Sequence, residues 1–362
     1  MGFLLASSLV SFFFALFFVW QAHQGATWGH DSDLESPQKF HHRSVPRMGG
    51  VGIFAGLVAC VFGARLLEHP FTRELATLVV CSMPAVAFGL AEDITGRVSS
   101  VKRLLAAACS AALGAFMLQA VINRVDIAPI DAILVWTAFS IPLTIFAVSG
   151  ISNAVNIIDG FNGLASMVSL MMFAAIAYVA HVVGDRFIVI AALSCIGAIL
   201  GFFIWNFPLG LIFLGDGGAY LLGFMLAELA ILLFHRHPEV SPWFGVLVFF
   251  YPTVETAFSI YRRRVIKGVP VDTPDATHLH SLIFRRLMRS TIATHSAYSR
   301  NHQNAMTSPY LWVLSSIAVV PATLFWNNTP ALMGFCALFL GMYLWIYRRI
   351  VRFRTPLWLR RR

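Results

Sequence analysis

The stretch NAVNIIDGFNGL, which begins at Asn153, places two amides and a carboxylate at a regular spacing in an otherwise apolar sequence. Asn153, Asn156 and Asp159 follow one another at intervals of three residues. On a helix that turns about 100° per residue, this spacing confines them to an arc of about 120°. We therefore expect the three side chains to point into one cleft. Gly160 and Gly163 then allow the chain to turn before the next apolar run.

Four carboxylates stand in polar stretches with few basic residues immediately beside them in the sequence: Glu92, Asp93, Asp159 and Asp216. Hard oxygen ligands of this kind suit Mg²⁺ or Mn²⁺. A divalent cation pairs naturally with a diphosphate, because it neutralises phosphate charge and holds the attacking and leaving oxygens in line.

Other residue types complete this chemistry. Glycine pairs at 49–50 and 217–218 allow backbone N–H groups to approach an anion closely. Four side chains offer charge or hydrogen bonds to phosphate oxygens: His278, His280, Arg285 and Arg286. Together these residues predict a phosphate transfer at a membrane surface.

The elements that must position these residues are membrane helices. Hydrophobic residues make up 58% of the 362 residues and charged residues only 12%, whereas a soluble domain has about 25% charged residues. A membrane-spanning helix needs roughly 20 mainly apolar residues. Eleven runs qualify: about 3–22, 49–67, 74–91, 103–120, 132–150, 164–183, 187–206, 219–234, 242–261, 309–326 and 331–347. We predict an all-α, polytopic integral membrane helical bundle of about eleven helices, with residues 1–362 forming a single domain.

The distribution of basic residues predicts the orientation of this bundle. If the N-terminus lies outside, the cytoplasmic segments are 23–48, 92–102, 151–163, 207–218, 262–308 and the tail from Arg348. With Arg103 counted at its helix boundary, these segments hold 21 of the 26 Lys and Arg residues. The positive-inside rule then places the C-terminus in the cytoplasm.

This orientation brings all the polar clusters to one face. The clusters are residues 45–50, 91–103, 153–164, 205–224 and 272–286. Each has an ordinary explanation by itself, but chance would scatter them over both faces. We therefore predict one cytoplasm-facing active-site cleft.

The net charge of +9 does not indicate nucleic acid. The basic residues cluster beside helix ends, as in YRRRVIKG at 261–268 and the tail from Arg348, and anionic lipid headgroups explain that placement. The composition leaves the oligomeric state open, a homodimer included.

These motifs together resemble the polyprenyl-phosphate N-acetylhexosamine-1-phosphate transferases. The resemblance runs in order from PRMGG through NAVNIIDGFNGLA and NFPLGLIFLGDGGAYLLG to PDATHLH, which is similar to the N-acetylglucosamine branch of that family. It implies transfer of a sugar 1-phosphate from a UDP-sugar to undecaprenyl phosphate, with Mg²⁺ (or Mn²⁺) as the cofactor and release of UMP. It also implies a multi-pass protein of the bacterial inner membrane.

The resemblance also implies roles for individual residues. Asp216 occupies the metal-binding Gly-Asp position, and Asp93 the second position of an acidic pair that binds metal or manages the proton of the lipid phosphate. The residues implied to bind substrate are Asn153, Asn156, Asn206, His278 and His280, and Asp159 belongs to the same element as the first two. Two departures stand out: the first acid of the pair is Glu92 rather than aspartate, and Ser281 replaces a further histidine.

Each motif also has an ordinary structural interpretation. Asp216 could be a turn residue, Asn153 and Asn156 interhelical hydrogen-bond partners, and Glu92 and Asp93 caps of a helix end. The histidines could lie solvated in a loop, and the arginines could bind lipid. For the whole chain, the alternative is a transporter of lipid-linked or anionic solutes, which would place functional charge near the middle of the membrane.

Overall fold

The computed structural model describes residues 1–25, 30–31, 45–268, 277–288 and 297–352. The helices are α1 (Gly2–His23), α2 (Gly49–Leu66), α3 (Thr72–Thr95), α4 (Ser100–Met117), α5 (Ala128–Leu134), α6 (Thr137–Ile158), α7 (Leu164–Val182), α8 (Arg186–Asn206), α9 (Gly215–Arg236), α10 (Pro242–Val248), α11 (Phe250–Tyr261), α12 (Leu279–Ile283), α13 (Ala297–Leu324) and α14 (Thr329–Val351). Two π-helical segments, Arg262–Lys267 and Phe284–Met288, continue α11 and α12. Two short antiparallel strands, β1 (His30–Asp31) and β2 (Val45–Pro46), precede α2.

The predicted polytopic helical bundle is confirmed. Within the described residues, ten helices are long and apolar enough to cross a membrane, and α10 with α11 makes an eleventh if the bent pair is one span. Large apolar side chains face outward, as on α1, where Leu5, Leu9 and Phe13 are more than half exposed. Such a surface suits contact with lipid hydrocarbon rather than water.

Helix α9 lies at the centre of the bundle. Its most apolar 18-residue stretch is completely buried, as expected for a helix that is hydrophobic on all sides. Glycines allow its neighbours to approach: a Cβ atom on Gly89 would lie 2.6 Å from Gly217, and one on Gly223 would lie 2.4 Å from Ser152. Small residues at these contacts bring α3 and α6 against the helix that carries Asp216 in its first turn.

Helix α8 uses a small-xxx-small pair to hold α1. A Cβ atom on Gly197 would lie 2.2 Å from the carbonyl oxygen of Leu4, and one on Gly201 would lie 2.2 Å from that of Ser8. The two backbones therefore touch along one turn of α8, a packing mode that substitutes for hydrophobic association within a bilayer.

The ninth predicted span is not a continuous helix. The sequence predicts one run over residues 242–261, but α10 and α11 meet at an angle of 68°. Pro252 explains the break, because a proline ring clashes with the carbonyl four residues earlier, here that of Val248, and lacks an N–H group. The predicted apolar run is thus present, but as two helices that meet at a bend.

The bent pair nevertheless joins the two ends of the bundle. At one end, the Asp126 carboxylate accepts hydrogen bonds from the hydroxyls of Ser241 (3.2 Å) and Thr329 (2.6 Å), beside the starts of α10 and α14. At the other end, α11 carries Glu255, which binds His278 next to the predicted site. Residues 242–261 therefore run from end to end.

Candidate active site

Backbone hydrogen bonds join the first polar cluster to the fourth. The N–H groups of Gly49 and Gly50 donate to the carbonyls of Phe213 and Leu214, each at 2.9 Å. A Cβ atom on Gly50 would lie 2.2 Å from the backbone nitrogen of Gly218. The glycines predicted to permit close backbone approach do so, although the partner here is another glycine of the same chain.

The carboxylate of Asp93 caps the N-terminus of α9. Its Oδ1 accepts the N–H of Asp216 at 2.8 Å and its Oδ2 accepts the N–H of Gly217 at 2.9 Å. The first N–H groups of a helix have no intrahelical partner and favour a negative charge. Asp93 is buried, so it both satisfies these donors and fixes the position of Asp216.

Asp216 projects from this capped turn and is held by two other helices. Its Oδ1 accepts a hydrogen bond from the Nδ2 of Asn156 at 2.8 Å, and its Oδ2 forms an ion pair with the guanidinium of Arg103. Asp216 is therefore not a residue of a β-turn, as its ordinary structural interpretation would have it, because it lies at the start of a long helix.

The Arg103 contact adds a cation that the sequence around Asp216 does not show. Arg103 is distant from Asp216 in the sequence, and only the packing of α4 beside α9 brings them together. Arg103 stands at a predicted helix boundary and ends the second polar cluster. Its position in that cluster was the feature of the sequence that could have predicted a role at the site.

Asn153 and Asn156 face α9 together, as their spacing predicts. The hydroxyl of Tyr220 donates to the Oδ1 of Asn153 at 3.1 Å, and Tyr220 lies one turn beyond Asp216, the partner of Asn156. Both asparagines therefore act as interhelical hydrogen-bond partners at the site. Tyr220 was not predicted as a site residue, although it lies inside the LGDGGAYLLG motif.

Asp159 directly follows the last residue of α6 and belongs to the same cluster of charged residues. Its carboxylate interacts electrostatically with Arg47 and Asp93. Loss of solvent around the group raises the pKa of the Asp159 carboxyl to about 7, and the positive charge of Arg47 opposes that rise. Three carboxylates (Asp93, Asp159 and Asp216) and two guanidiniums (Arg47 and Arg103) thus gather at one end of the bundle.

Glu92 has a different environment from its neighbour. Its Oε2 accepts the backbone N–H of Val98 at 2.6 Å, within the loop between α3 and α4. This contact matches the interpretation of Glu92 as a cap of a helix end, and the structure does not join its carboxylate to Asp216.

Asn206 binds two backbone segments rather than an open cleft. Its Oδ1 accepts the N–H of Gly163 at 2.7 Å, and its Nδ2 donates to the carbonyl of Ile212 at 2.8 Å. The side chain is buried. Asn206 therefore holds the turn after Asp159 against the loop before α9, which is a positioning role for a residue predicted to bind substrate.

His278 and His280 are buried, which excludes the solvated-loop interpretation. Their rings stack with centroids 5.1 Å apart. His280 packs on the turn after Asp159, since a Cβ atom on Gly160 would lie 3.2 Å from its Nε2. Burial lowers the pKa of His280 to about 3.

The two predicted arginines of this segment differ. Arg286 donates to the carbonyls of Ile350 (2.6 Å) and Val351 (2.8 Å), the last residues of α14. Carbonyls in the last turn of a helix lack the usual partner four residues later, so Arg286 has a structural role there. Arg285 is exposed on the π-helical segment, and the part of the fifth cluster at 272–276 lies outside the described residues.

The donor set fits a metal that arrives with a diphosphate. Among the residues that the structure describes, no three His, Cys, Asp or Glu side chains form a metal-binding group. Mg²⁺ is usually bound by one or two carboxylates together with substrate phosphates. Asp216 suits that arrangement, because its carboxylate bonds the side chains of Asn156 and Arg103 rather than backbone N–H groups. Asp159, which lies near Asp93, suits it as well. Asp93 suits it less, because both of its oxygens accept backbone N–H groups.

Comparison with known proteins gives consistent similarities. Residues 75–234 match the model of glycosyl transferase family 4. The chain is 29% identical to a probable undecaprenyl-phosphate N-acetylglucosaminyl 1-phosphate transferase of Bacillus subtilis strain 168, over 81% of this chain and 78% of the relative. Identity is 28% to undecaprenyl-phosphate alpha-N-acetylglucosaminyl 1-phosphate transferases of Thermotoga maritima (70% of this chain, 73% of the relative) and Escherichia coli K12 (77% and 76%). The family match contains Asp93, Asn156 and Asp216, whereas the two histidines follow it.

Proposed function

We propose that this chain, a member of the polyprenyl-phosphate N-acetylhexosamine-1-phosphate transferase family, transfers an N-acetylhexosamine 1-phosphate from a UDP-sugar to undecaprenyl phosphate. The products are UMP and a lipid-linked sugar diphosphate for the synthesis of a cell-envelope polysaccharide. The names of the relatives support the acceptor and the sugar phosphate. The geometry at Asp216 is the observation that carries the proposal.

In this reaction an oxygen of the lipid phosphate forms a bond to the phosphorus that bears the sugar, and the bond from that phosphorus to the oxygen of UMP breaks. The acceptor is a phosphate monoester, so its oxygen is nucleophilic near neutral pH without a strong base. Catalysis then depends mainly on alignment and on neutralising charge. Arg103 supplies positive charge beside Asp216, and Arg47 supplies it beside Asp93 and Asp159.

Mg²⁺, when bound, would be held by Asp216 with Asp159 as the second candidate, and it would neutralise charge on the diphosphate. Asp93 holds the turn that carries Asp216, and Asn156 orients its carboxylate. Divalent-ion specificity, with Mn²⁺ as a substitute, follows from this oxygen donor set.

The predicted orientation completes the proposal. With the site facing the cytoplasm of a bacterial inner membrane, the nucleotide reaches it from water while the lipid phosphate reaches it from the bilayer. The exposed Arg264 and the exposed arginines at the end of α14 would then face anionic headgroups. The tail from residue 353 lies outside the described residues.

The transporter alternative receives no support from the intramembrane acids. Glu255 is hydrogen-bonded to His278 and Tyr343 inside the bundle. Glu228 is fully buried on α9 and occupies the space left by Gly114, since a Cβ atom there would lie 2.1 Å from its Oε1. Both side chains are fully buried in the bundle.

The test is a transfer assay. Membranes that contain the protein are incubated with undecaprenyl phosphate, Mg²⁺ and a panel of UDP-sugars, including UDP-N-acetylglucosamine and 6-deoxy N-acetyl analogues, and UMP and the lipid product are measured. We expect both products with at least one sugar and neither with the D216N variant. The absence of UMP with every sugar would favour the transporter.

A further inference from the structure

A second charged cavity lies at the end of the bundle opposite the candidate active site. Helix α9 carries Asp216 in its first turn and ends at Arg236, so about 30 Å of helix separates the two positions. That length is close to the hydrocarbon thickness of a bilayer. The cavity has a volume of about 410 Å³ and is lined by Phe71 and by residues 184–187 and 236–237. It therefore belongs to the other membrane surface.

Two arginines, Arg186 and Arg236, line this cavity. The guanidinium of Arg236 lies over the ring of Phe187, with its Cζ 5.1 Å from the ring centroid. Its ion pairs with Asp185 and Glu74 span 3.5 and 3.6 Å, which is longer than a hydrogen bond. Arg186 is exposed, and within the described part of the chain its side chain has neither a hydrogen bond nor an ion pair. Both guanidiniums therefore present N–H donors to the cavity.

The buried carboxylate of Asp185 fixes the wall of the cavity. Its Oδ1 accepts the N–H of Ile188 at 3.0 Å, which caps α8, and its Oδ2 lies 3.2 Å from the Nε2 of His237. These contacts join the turn between α7 and α8 to the end of α9. Asp185 is thus bonded within the protein, and it holds the residue after Arg236 beside Arg186.

Two further carboxylates determine which charge the cavity accepts. The side chains of Glu74 and Glu239 are 40% and 52% exposed. Glu74 faces Arg236, and Glu239 lies 3.7 Å from the Nδ1 of His237. Together with Asp185, these acids offset the charge of the two arginines, so a purely anionic ligand would gain little net attraction. A ligand that carries both a phosphate and an ammonium group finds a partner for each.

Exposed apolar side chains adjoin the cavity. Tyr178 and Val182 stand four residues apart on α7 and therefore share a face, and each is about half exposed. They directly precede Gly184, which lines the cavity. An acyl chain can lie along this face while its headgroup lies among the charges at the helix ends. A soluble phosphate compound would gain nothing from such an apolar strip.

We propose that this cavity binds the headgroup of a zwitterionic phospholipid of the phosphatidylethanolamine type, in the leaflet opposite the candidate active site. Arg186 and Arg236 bind the phosphodiester, because a guanidinium forms strong, charge-assisted hydrogen bonds to phosphate oxygens. Glu74 accepts hydrogen bonds from the ammonium group. Under the predicted orientation this leaflet is the extracytoplasmic one. The site is separate from the transfer reaction, and neither proposal depends on the other.

The test measures lipid binding to the full-length protein, freed of lipid in detergent, by native mass spectrometry. Phosphatidylethanolamine should bind about tenfold or more tightly than phosphatidylglycerol, which lacks the ammonium group, and phosphatidylcholine, whose quaternary amine has no N–H donor. R186A and R236A should each weaken binding of phosphatidylethanolamine about tenfold. R186A is the cleaner variant, since its side chain has no described bond to lose. R65A removes a charge from the same end of the bundle and should stay within twofold of the wild type.

E74Q tests the two halves of the headgroup separately. It should weaken binding of phosphatidylethanolamine a few-fold and leave that of phosphatidylglycerol unchanged or stronger, because the neutral amide no longer attracts an ammonium group or repels an anion. Equal weakening of both lipids by E74Q would overturn the role of Glu74.

Three results would overturn the lipid site itself. These are equal losses in R65A and R186A, equal affinities of the wild type for the three lipids, and binding of soluble glycerophosphoethanolamine as tight as that of the lipid. The last result would assign the cavity to a free phosphate compound. None of these measurements uses sugar transfer, so a failure of the proposed function would leave them unaffected.

Discussion

The carboxylate of Asp93 bridges the first backbone N–H groups of α9, 2.8 Å from the nitrogen of Asp216 and 2.9 Å from that of Gly217. One predicted acid thus determines where another points. Asp93 contributes to the site through position, whereas Asp216 presents its carboxylate to Asn156 and Arg103. Substitutions of the two residues should therefore have different effects on stability and activity.

D93N should reduce both stability and activity. An asparagine retains one acceptor oxygen but turns an NH₂ group toward a backbone N–H, so one buried hydrogen bond becomes a clash of donors. We expect a loss of roughly 1.5–3 kcal/mol in the free energy of unfolding and a fall in transfer rate of about a hundredfold or more. The adjacent E92Q is the matched control, since Glu92 accepts the loop N–H of Val98 instead. Equal losses in the two variants would contradict the division of roles.

D216N should abolish transfer while the protein remains folded. The amide keeps the shape of the side chain, but it removes the charge that pairs with Arg103 and would hold a divalent ion. Melting temperature should stay near that of the wild type, and binding of Mn²⁺ in the presence of UDP, followed by electron paramagnetic resonance, should be lost. Activity within a few-fold of the wild type in D216N membranes would exclude Asp216 as the metal ligand.

G50A should separate α2 from α9. The added Cβ would lie 2.2 Å from the backbone nitrogen of Gly218, and backbone cannot move aside as a flexible side chain can. We expect a destabilisation of about 1–3 kcal/mol and a reduced transfer rate, because the displaced backbone adjoins Asp216. G63A on the same helix is the control, since nothing lies within 4 Å of its Cβ, and it should be neutral or slightly stabilising. Thermal unfolding in detergent measures both.

The burial of His280 predicts a pH-dependent stability difference. Its pKa is about 3 in the folded protein against a usual value of 6.5, so between these values only the unfolded chain takes up the proton. Stability from this group is fully present above about pH 6.5 and declines as the pH falls toward 3. Relative to H280Q, the wild type should lose about 2 kcal/mol of unfolding free energy between pH 7 and pH 5. A difference between the two proteins that does not change with pH would contradict the buried neutral histidine.

Some contacts of the site followed from local sequence. The spacing of Asn153 and Asn156 predicts that they share a helix face, and both contact α9. The break in the ninth span was also encoded, since Pro252 stands four residues after the last residue of α10, but its effect was not taken into account. These features depend on the geometry of one helix, which a short stretch of sequence specifies.

Other contacts depend on how helices pack. Arg103 and Asp216 lie far apart in the sequence, and nothing in either stretch specifies the other. The same holds for Glu255 and Tyr343, which meet only because α14 lies against α11. Asn206 and Arg286 were predicted to bind substrate, yet both are occupied by backbone groups of distant segments.

By itself, the sequence determined the apolar runs, their number and the gathering of polar clusters at their ends, because hydrocarbon tolerates few charges and a helix needs a fixed length to cross it. The tertiary structure decided which polar groups are in contact. It thereby distinguished the role of Asp216, which presents its carboxylate to the site, from that of Asp93, which supports it. The reason is physical: a side chain's partner is set by the crossing and rotation of packed helices, and those follow from close contacts such as that of Gly50 with Gly218.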